Sequence, residues 1–186
     1  MSKIDLNNIA HSYNPNDPNP VYALNPFSMT WENGKRYAIL GPSGCGKTTM
    51  LNIVSGLVRP SAGSILFDDK DVTDLKTESR NIAQVFQFPV IYNTMTVYEN
   101  LAFPLKCRDF PQTKIDERVT SVADTLNLKS FLNAPARKLT ADQKQLISLG
   151  RGLVREDVAA VLMDEPLTVI DPDLKFRLRR KLKEIN

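Results

Sequence analysis

Residues 35–58 read KRYAILGPSGCGKTTMLNIVSGLV, and the middle of that stretch decides how the rest is read. Gly41-Pro42-Ser43-Gly44-Cys45-Gly46-Lys47-Thr48 fits G-x-x-x-x-G-K-[ST] in full. Glycines allow the backbone to turn successive N–H groups inward around phosphate oxygens. A helix that starts at the end of the turn adds the positive end of its dipole. Lys47 supplies a point charge for the β- and γ-phosphates, and the Thr48 hydroxyl is placed for Mg²⁺. Residues 35–40 read as the strand entering the turn. Residues 48–58 read as the helix leaving it, with Met50, Val54 and Leu57 at helical spacing. The competing reading is an ordinary glycine-rich strand-to-helix turn. The complete match between a strand and a helix favours an ATP-Mg²⁺ site, with residues 41–48 and Thr49 as the nucleotide contacts.

A site of this kind needs a carboxylate at the end of a neighbouring buried strand, to hold Mg²⁺ through water. Val161-Leu162-Met163-Asp164-Glu165-Pro166 provides one. Residues 158–163 are apolar without alternation, as in a strand covered on both faces. Asp164 is the expected metal partner, and Glu165 is placed to polarise an attacking water. Taken alone, a polar loop just past a core strand explains the same residues. Together with the upstream phosphate turn, the catalytic reading is preferred.

Around these motifs, residues 14–20 (NPNDPNP) form a turn-rich loop. Residues 4–9 alternate weakly, as an edge strand would, and residues 64–67 and 82–86 are further strand candidates. From about residue 89 to 141 the character becomes helical. Ile115, Val119, Val122 and Leu126 mark one amphipathic face. A helix over residues 141–154 carries Leu146, Leu149 and Leu153 on one side, and residues 171–186 read as a basic helix. The expected fold is therefore α/β: a P-loop NTPase (RecA-like) core with a parallel-rich sheet, N-terminal antiparallel strands and a helical insert.

Composition narrows the function classes. The chain has 186 residues, is 42% hydrophobic and carries a net charge of +3 from 24 basic and 21 acidic residues. That suits one ordinary domain and is too balanced to suggest a nucleic-acid partner. Two cysteines, Cys45 and Cys107, make no disulfide framework and fit a reducing cytosol. The N-terminus lacks a signal-peptide pattern, and the apolar run at 158–163 is far short of the roughly 20 residues that span a bilayer. A membrane role is expected to come through a partner.

Taken together, the ordered motifs resemble the ATP-binding subunits of ABC transporters over essentially the whole chain. On that resemblance the chain is one ABC ATPase domain over residues 1–186, incomplete at its C-terminus. Its ATP-binding core lies at about 1–88 and 145–186, and its helical subdomain at about 89–144. Gln87, in Val85-Phe86-Gln87-Phe88, resembles the Q-loop glutamine, which contacts Mg²⁺ and senses the transmembrane partner. Tyr13 resembles the aromatic that stacks on adenine, and Asp171 the D-loop aspartate that reaches across the dimer. Plainer readings exist: Gln87 a solvated residue after a strand, Tyr13 a surface or core tyrosine, Asp171 a helix N-cap before Pro172. Residues 94–105 resemble the importer segment that meets the membrane subunit's coupling helix. They also suit a core helix with Val97, Leu101 and Leu105 inward.

Two departures stand out. Where the family has Leu-Ser-Gly-Gly-Gln, this chain has Leu139-Thr140-Ala141-Asp142-Gln143. A carboxylate about 4 Å from a phosphate charge costs roughly 4 kcal/mol at an effective dielectric near 20. Thr140 and Gln143 nonetheless form a capping box, and Asp142 suits the first turn by about 0.3–1 kcal/mol. This wording, with residues 147–154, resembles glycerol-type polyol importers that use two different ATP-binding subunits. The second departure is that His11 is the sole histidine, whereas the family places one on a strand shortly after the D-loop. The chain reads as a fragment or a shortened, impaired protein.

The resemblance implies an ATPase that powers import of a sugar, glycerol or other polyol. Its partners are transmembrane permease subunits and a second ATP-binding subunit, identical or homologous. It would sit in the cytoplasm, peripheral on the inner face of the cell membrane. The alternatives are an ATP-binding but catalytically impaired regulatory subunit or fragment, and a soluble ABC-type ATPase of DNA repair or translation. The last lacks the long coiled coils or doubled domains expected of it.

Overall fold

A computed structural model describes residues 1–168, 170, 172, 175 and 176. Most of the helix expected over residues 171–186 lies outside the described residues, as does Asp171. The chain divides into two units, one of Met1–Ile82 with Asp157–Leu162, the other of Ala83–Glu156 with the chain from Met163.

In the first unit, strands β1 (Ile4–His11), β2 (Leu24–Trp31), β3 (Ala62–Phe67) and β4 (Lys70–Asp71) make an antiparallel sheet in the order β2-β1-β3-β4. The sequence suggested an edge strand at residues 4–9, but β1 is interior, pairing with both β2 and β3. Its weak alternation has a physical cause. Ile4 and Leu6 face the core, and a register irregularity between Leu6 and Ile9 sets Asn7 and Asn8 against one residue of β2. Asn8 takes a φ of 50°. The bulge shifts the two-residue phase, so Ile9 again points inward.

Helix α1 (Lys47–Ser55) covers this sheet's apolar face, with Met50, Leu51, Ile53 and Val54 buried against Ile4, Leu6, Ile9, Trp31 and Ile65. It stops earlier than its apolar spacing suggested. Gly56 adopts φ 82° and closes the helix, and the N–H groups of Leu57 and Val58 both return to the Asn52 carbonyl at 2.9 and 3.1 Å. Leu57 therefore falls outside the helical face and is exposed.

The expected strand at residues 35–40 is absent: the segment joins no sheet among the described residues. Local contacts hold it instead. Glu32 and Lys35 close a turn through a 3.2 Å backbone bond. The Tyr37 ring stacks on Trp31 at 6.2 Å, and its hydroxyl accepts the Glu32 N–H at 2.8 Å. Leu40 is left 91% exposed, which a buried central strand would not permit.

Strands β5 (Ile82–Val85) and β6 (Ala160–Met163) form a second sheet. The Ala159 N–H bonds the Asn81 carbonyl and the Asp164 N–H bonds the Val85 carbonyl, each at 2.9 Å. Partners rise together in number along both strands, so the pair runs parallel. The stretch 158–163 is less enclosed than its apolar run implied. Val158, Ala159 and Leu162 are buried, while Ala160, Val161 and Met163 are half-buried.

The second unit is built on α2 (Val97–Lys106), α3 (Gln112–Thr125) and α4 (Ala141–Leu153). Val97, Leu101 and Leu105 of α2, Val119 and Val122 of α3, and Leu146, Leu149 and Leu153 of α4 join one core. Both α2 and α4 begin at a threonine capping box, Thr96 with Glu99 and Thr140 with Gln143. No helix among the described residues is long and apolar enough to cross a membrane.

Candidate nucleotide site

The glycine turn belongs to the first unit. Gly44 and Gly46 have φ of 80° and 89°, the left-handed region that favours glycine. Gly46 is also the residue from which α1 starts, and its carbonyl accepts the Met50 N–H at 2.8 Å. A Cβ on Gly46 would collide with the Ala23 carbonyl oxygen, and one on Gly41 would lie 2.5 Å from the Cys45 sulfur. The tightness is therefore steric as well as conformational. Gly41, Pro42, Ser43, Gly44 and Cys45 are exposed, so the turn's backbone is open to a ligand. Lys47 donates its ammonium to the carbonyls of Gly41 at 2.8 Å and Pro42 at 2.9 Å. A longer bond to the Cys45 sulfur, at 3.8 Å, takes the third ammonium donor. These features fit a polyphosphate: an exposed turn with left-handed glycines, a helix N-terminus and a cation held at the turn.

Tyr13 lies two residues past the end of β1. Its ring is 62% exposed and meets His11 edge-on at 4.6 Å, and its hydroxyl lies 3.2 Å from the Thr49 Oγ1 in α1. Tyr13 is thus largely exposed while its hydroxyl is held against the first turn of α1. Thr49 is buried, with its hydroxyl toward Tyr13, while Thr48 is exposed.

The acidic turn belongs to the second unit. Asp164 continues directly from β6 and is half-buried. Glu165 is exposed and has a φ of 45°. For a residue with a Cβ this conformation costs about 1–2 kcal/mol, and such strain gathers at working sites. The turn is closed by Thr168, whose N–H and hydroxyl reach the Glu165 carbonyl at 3.1 and 3.0 Å. The same hydroxyl lies 3.2 Å from Glu165 Oε2. Gln87 is half-buried just beyond β5, followed by an exposed Phe88.

At the start of α4, the Thr140 N–H bonds Gln143 Oε1 at 3.0 Å and the Gln143 N–H bonds Thr140 Oγ1 at 3.3 Å. The side chain of Gln143 is committed to this cap. Ala141 is exposed, Asp142 is half-exposed in the first turn, and Leu139 packs against the core.

Two residues that matter here were not singled out from sequence. Arg80 is buried and donates to the carbonyls of Ile53, Val54, Thr73 and Leu75, which anchors the far end of α1. Gln145 is fully buried in α4 and donates to the carbonyls of Phe86 and Pro166. Its signal was present: Gln145 stands four residues before Leu149, on the buried side of an amphipathic helix.

A glycine turn with this backbone, opening onto a helix whose first residue is lysine, belongs to the P-loop NTPases. The family can be stated more narrowly, for the ABC transporter family model matches residues 24–168, and the chain belongs to that family. The trehalose/maltose import ATP-binding protein MalK of Thermococcus litoralis is 44% identical over 171 residues, covering 89% of this chain and 46% of that protein. The sn-glycerol-3-phosphate import ATP-binding protein UgpC of Paracoccus denitrificans is 40% identical over 186 residues, covering 100% of this chain and 51% of that protein. The chain thus spans about half the length of the curated relatives it matches. Among solved structures, a dimer of the ATP-binding cassette MJ0796, bound to ADP and Pi in a post-hydrolysis state, matches with a TM-score of 0.84. That match is 26% identical and covers 97% of this chain and 82% of the other.

Proposed function

We propose that this chain is the ATP-binding and ATP-hydrolysing part of an importer for a small polyhydroxylated solute, a sugar, glycerol or related polyol. It would act with separate transmembrane permease subunits and a second ATP-binding subunit, on the cytoplasmic face of the membrane. The observation that carries the reading is the pairing of left-handed Gly44 and Gly46 with Lys47 at the first residue of α1. The relatives' names support a carbohydrate or glycerol-phosphate solute. The proposed organisation is one ATPase domain, with a core at about residues 1–88 and 145–186. The helical part at about 89–144 is supported by the span of α2 and α3.

The proposed roles are these. The backbone of residues 41–48 and the Lys47 ammonium hold the phosphates, Thr49 lies beside that contact, and Tyr13 stacks on the base. Thr48, Asp164 and Gln87 hold Mg²⁺, and Glu165 orients and polarises water. When bound, Mg²⁺ neutralises charge on the transferring phosphoryl group. Among the described residues no three His, Cys, Asp or Glu side chains gather to hold a metal. Mg²⁺ typically takes only one or two carboxylates, with water and phosphate completing its shell. Most of the rate would come from positioning and fixed electrostatics.

A second reading is favoured by Asp142: an ATP-binding subunit that turns over poorly by itself. In that reading, residues 139–143 offer a carboxylate where a phosphate-facing helix start is needed, and a homologous partner supplies the competent counterpart. One experiment separates the two. ATP hydrolysis is measured for the chain alone and with a candidate partner subunit, with Lys47→Ala as the blank and Glu165→Gln as the chemical variant. Turnover lost in both variants supports hydrolysis by this chain. Turnover seen with a partner alone supports one competent site in a heterodimer. ATP bound without turnover in either setting rejects the hydrolytic reading.

A further inference from the structure

Gln145 is 0% exposed and lies within the second turn of α4. Its Nε2 donates to the Phe86 carbonyl at 3.2 Å and to the Pro166 carbonyl at 2.8 Å. Phe86 immediately precedes Gln87, and Pro166 immediately follows Glu165. The amide orientation is fixed by chemistry. Reversing it would set an oxygen against two carbonyl oxygens, while its Oε1 accepts no hydrogen bond among the described residues. One buried NH₂ group thus holds two separate turns, each carrying a proposed site residue.

The helix that supplies this amide begins at Thr140, within the Leu139–Gln143 stretch that replaces the usual signature. The Glu165 turn is strained, with φ 45°, and strain of that kind persists only when neighbouring structure over-determines it. The Glu165 carbonyl and carboxylate are met locally, by Thr168. The Asp164 N–H to Val85 carbonyl bond, 2.9 Å, already ties the two strand ends together. Gln145 adds the tie beyond them, where the side chains of Gln87 and Glu165 are presented.

We propose that Gln145 is a positioning residue: its amide clasps the Gln87 turn and the Glu165 turn to α4, so that the two turns are set together by the start of that helix. This deepens the hydrolytic reading and rests on it for its catalytic consequence. Binding of ATP depends on the glycine turn and should be spared, whereas the placement of Glu165 and Gln87 should be lost.

The test uses the full chain with its partner subunit. Gln145→Met keeps the length and buried bulk but removes both donors. Leu146→Ala, in the same buried core, serves as a packing control. Thr140→Ala, at the exposed cap, loosens the helix start and keeps the proposal testable if Gln145→Met fails to fold. Amide hydrogen exchange is followed in segments 83–90 and 163–168, beside ATP affinity, kcat and KM. The expected result for Gln145→Met is exchange at least 10-fold faster in both segments, ATP affinity within twofold of wild type, and kcat at least 10-fold lower with KM unchanged. Thr140→Ala should speed exchange in both segments to a smaller extent. Faster exchange in one segment or neither overturns the clasp. So does equal loosening of both by Leu146→Ala, or wild-type kcat in Gln145→Met beside an active wild type. If the wild type itself shows no turnover but Gln145→Met still loosens both segments, the hydrolytic reading fails and the clasp stands.

Discussion

Arg80 donates from Nη1 to the carbonyl of Ile53 at 2.8 Å, and thereby holds the last turn of the helix whose first residue is Lys47. Three further carbonyls, of Val54, Thr73 and Leu75, share the same guanidinium at 3.1, 2.8 and 3.0 Å. A cation at a helix C-terminus also complements the dipole. Burial pushes the Arg80 pKa down, and Asp74 and Asp71 pull it back up. Arg80→Met should strand several buried acceptors and cost about 3 kcal/mol. Lysine, with no planar fork, should rescue only part of that. Denaturant unfolding of both variants gives the difference, and a loss under about 1 kcal/mol would show that α1 is held by its apolar face alone.

The two left-handed glycines of the phosphate turn should not respond alike. At Gly44 a Cβ meets nothing within 4 Å, so alanine should cost only the conformational strain, about 1–2 kcal/mol. At Gly46 the Cβ strikes the Ala23 carbonyl oxygen and comes within 3.2 Å of Leu24 Cδ1. Backbone must move there, and with it the start of α1. Gly46→Ala should therefore destabilise more and weaken ATP binding at least 10-fold, with Gly44→Ala milder on both counts. Titration with a fluorescent ATP analogue checks the order; equal losses would refute the steric argument.

Gly150 lies where α4 crosses α2 and α3. An added Cβ would be 2.5 Å from Leu101 Cδ2, 3.1 Å from Leu126 Cδ1 and 3.3 Å from Val122 Cγ1, all buried side chains. Alanine improves helix propensity by about 1 kcal/mol, but overpacking costs typically about 1–3 kcal/mol. Gly150→Ala should be a net destabilisation, and adding Leu101→Val should recover part of it. A melting temperature that rises in the single variant would mean that the three neighbours have room to yield.

The cap of α2 should give an acid-sensitive contribution. The Glu99 carboxylate is held below its usual range, first by the Thr96 N–H and then by the Thr96 hydroxyl. A folded-state pKa below the unfolded value stabilises above that unfolded value, about 4.3. The benefit is lost as pH falls through the lower, folded one. The gap in melting temperature between wild type and Glu99→Ala should thus be present at pH 7 and narrow at pH 3. A gap that stays constant across that window would assign the effect to packing.

Much of this was open to reading in one dimension. The eight residues from Gly41 to Thr48 specify their own turn, because φ freedom at Gly44 and Gly46 is a property of glycine and the motif's spacing supplies the rest. The capping box at Thr140 and Gln143 was equally legible, since a cap is a contact between residues three apart. Apolar spacing found α3 and α4. It overran α1, where Gly56 ends the helix by a backbone conformation that the pattern of Met50, Val54 and Leu57 does not register.

Most of what remained hidden depended on partners distant in sequence. The interior place of β1 could not be seen, because pairing is a relation among strands and the bulge at Asn7 and Asn8 blurred the alternation. The strand proposed at residues 35–40 failed because Tyr37 found Trp31 and the Glu32 N–H nearby. Arg80 and Gln145 look in sequence like any charged and any amide residue. Only folding brings 27 residues of separation to one hydrogen bond between Arg80 and Ile53, and 59 to one between Gln145 and Phe86. The sequence by itself determined the chemistry on offer, a phosphate turn, a lysine and a carboxylate pair, because those are local. The tertiary structure decided what holds them in place, because a buried polar group is satisfied only by whatever the fold carries to it.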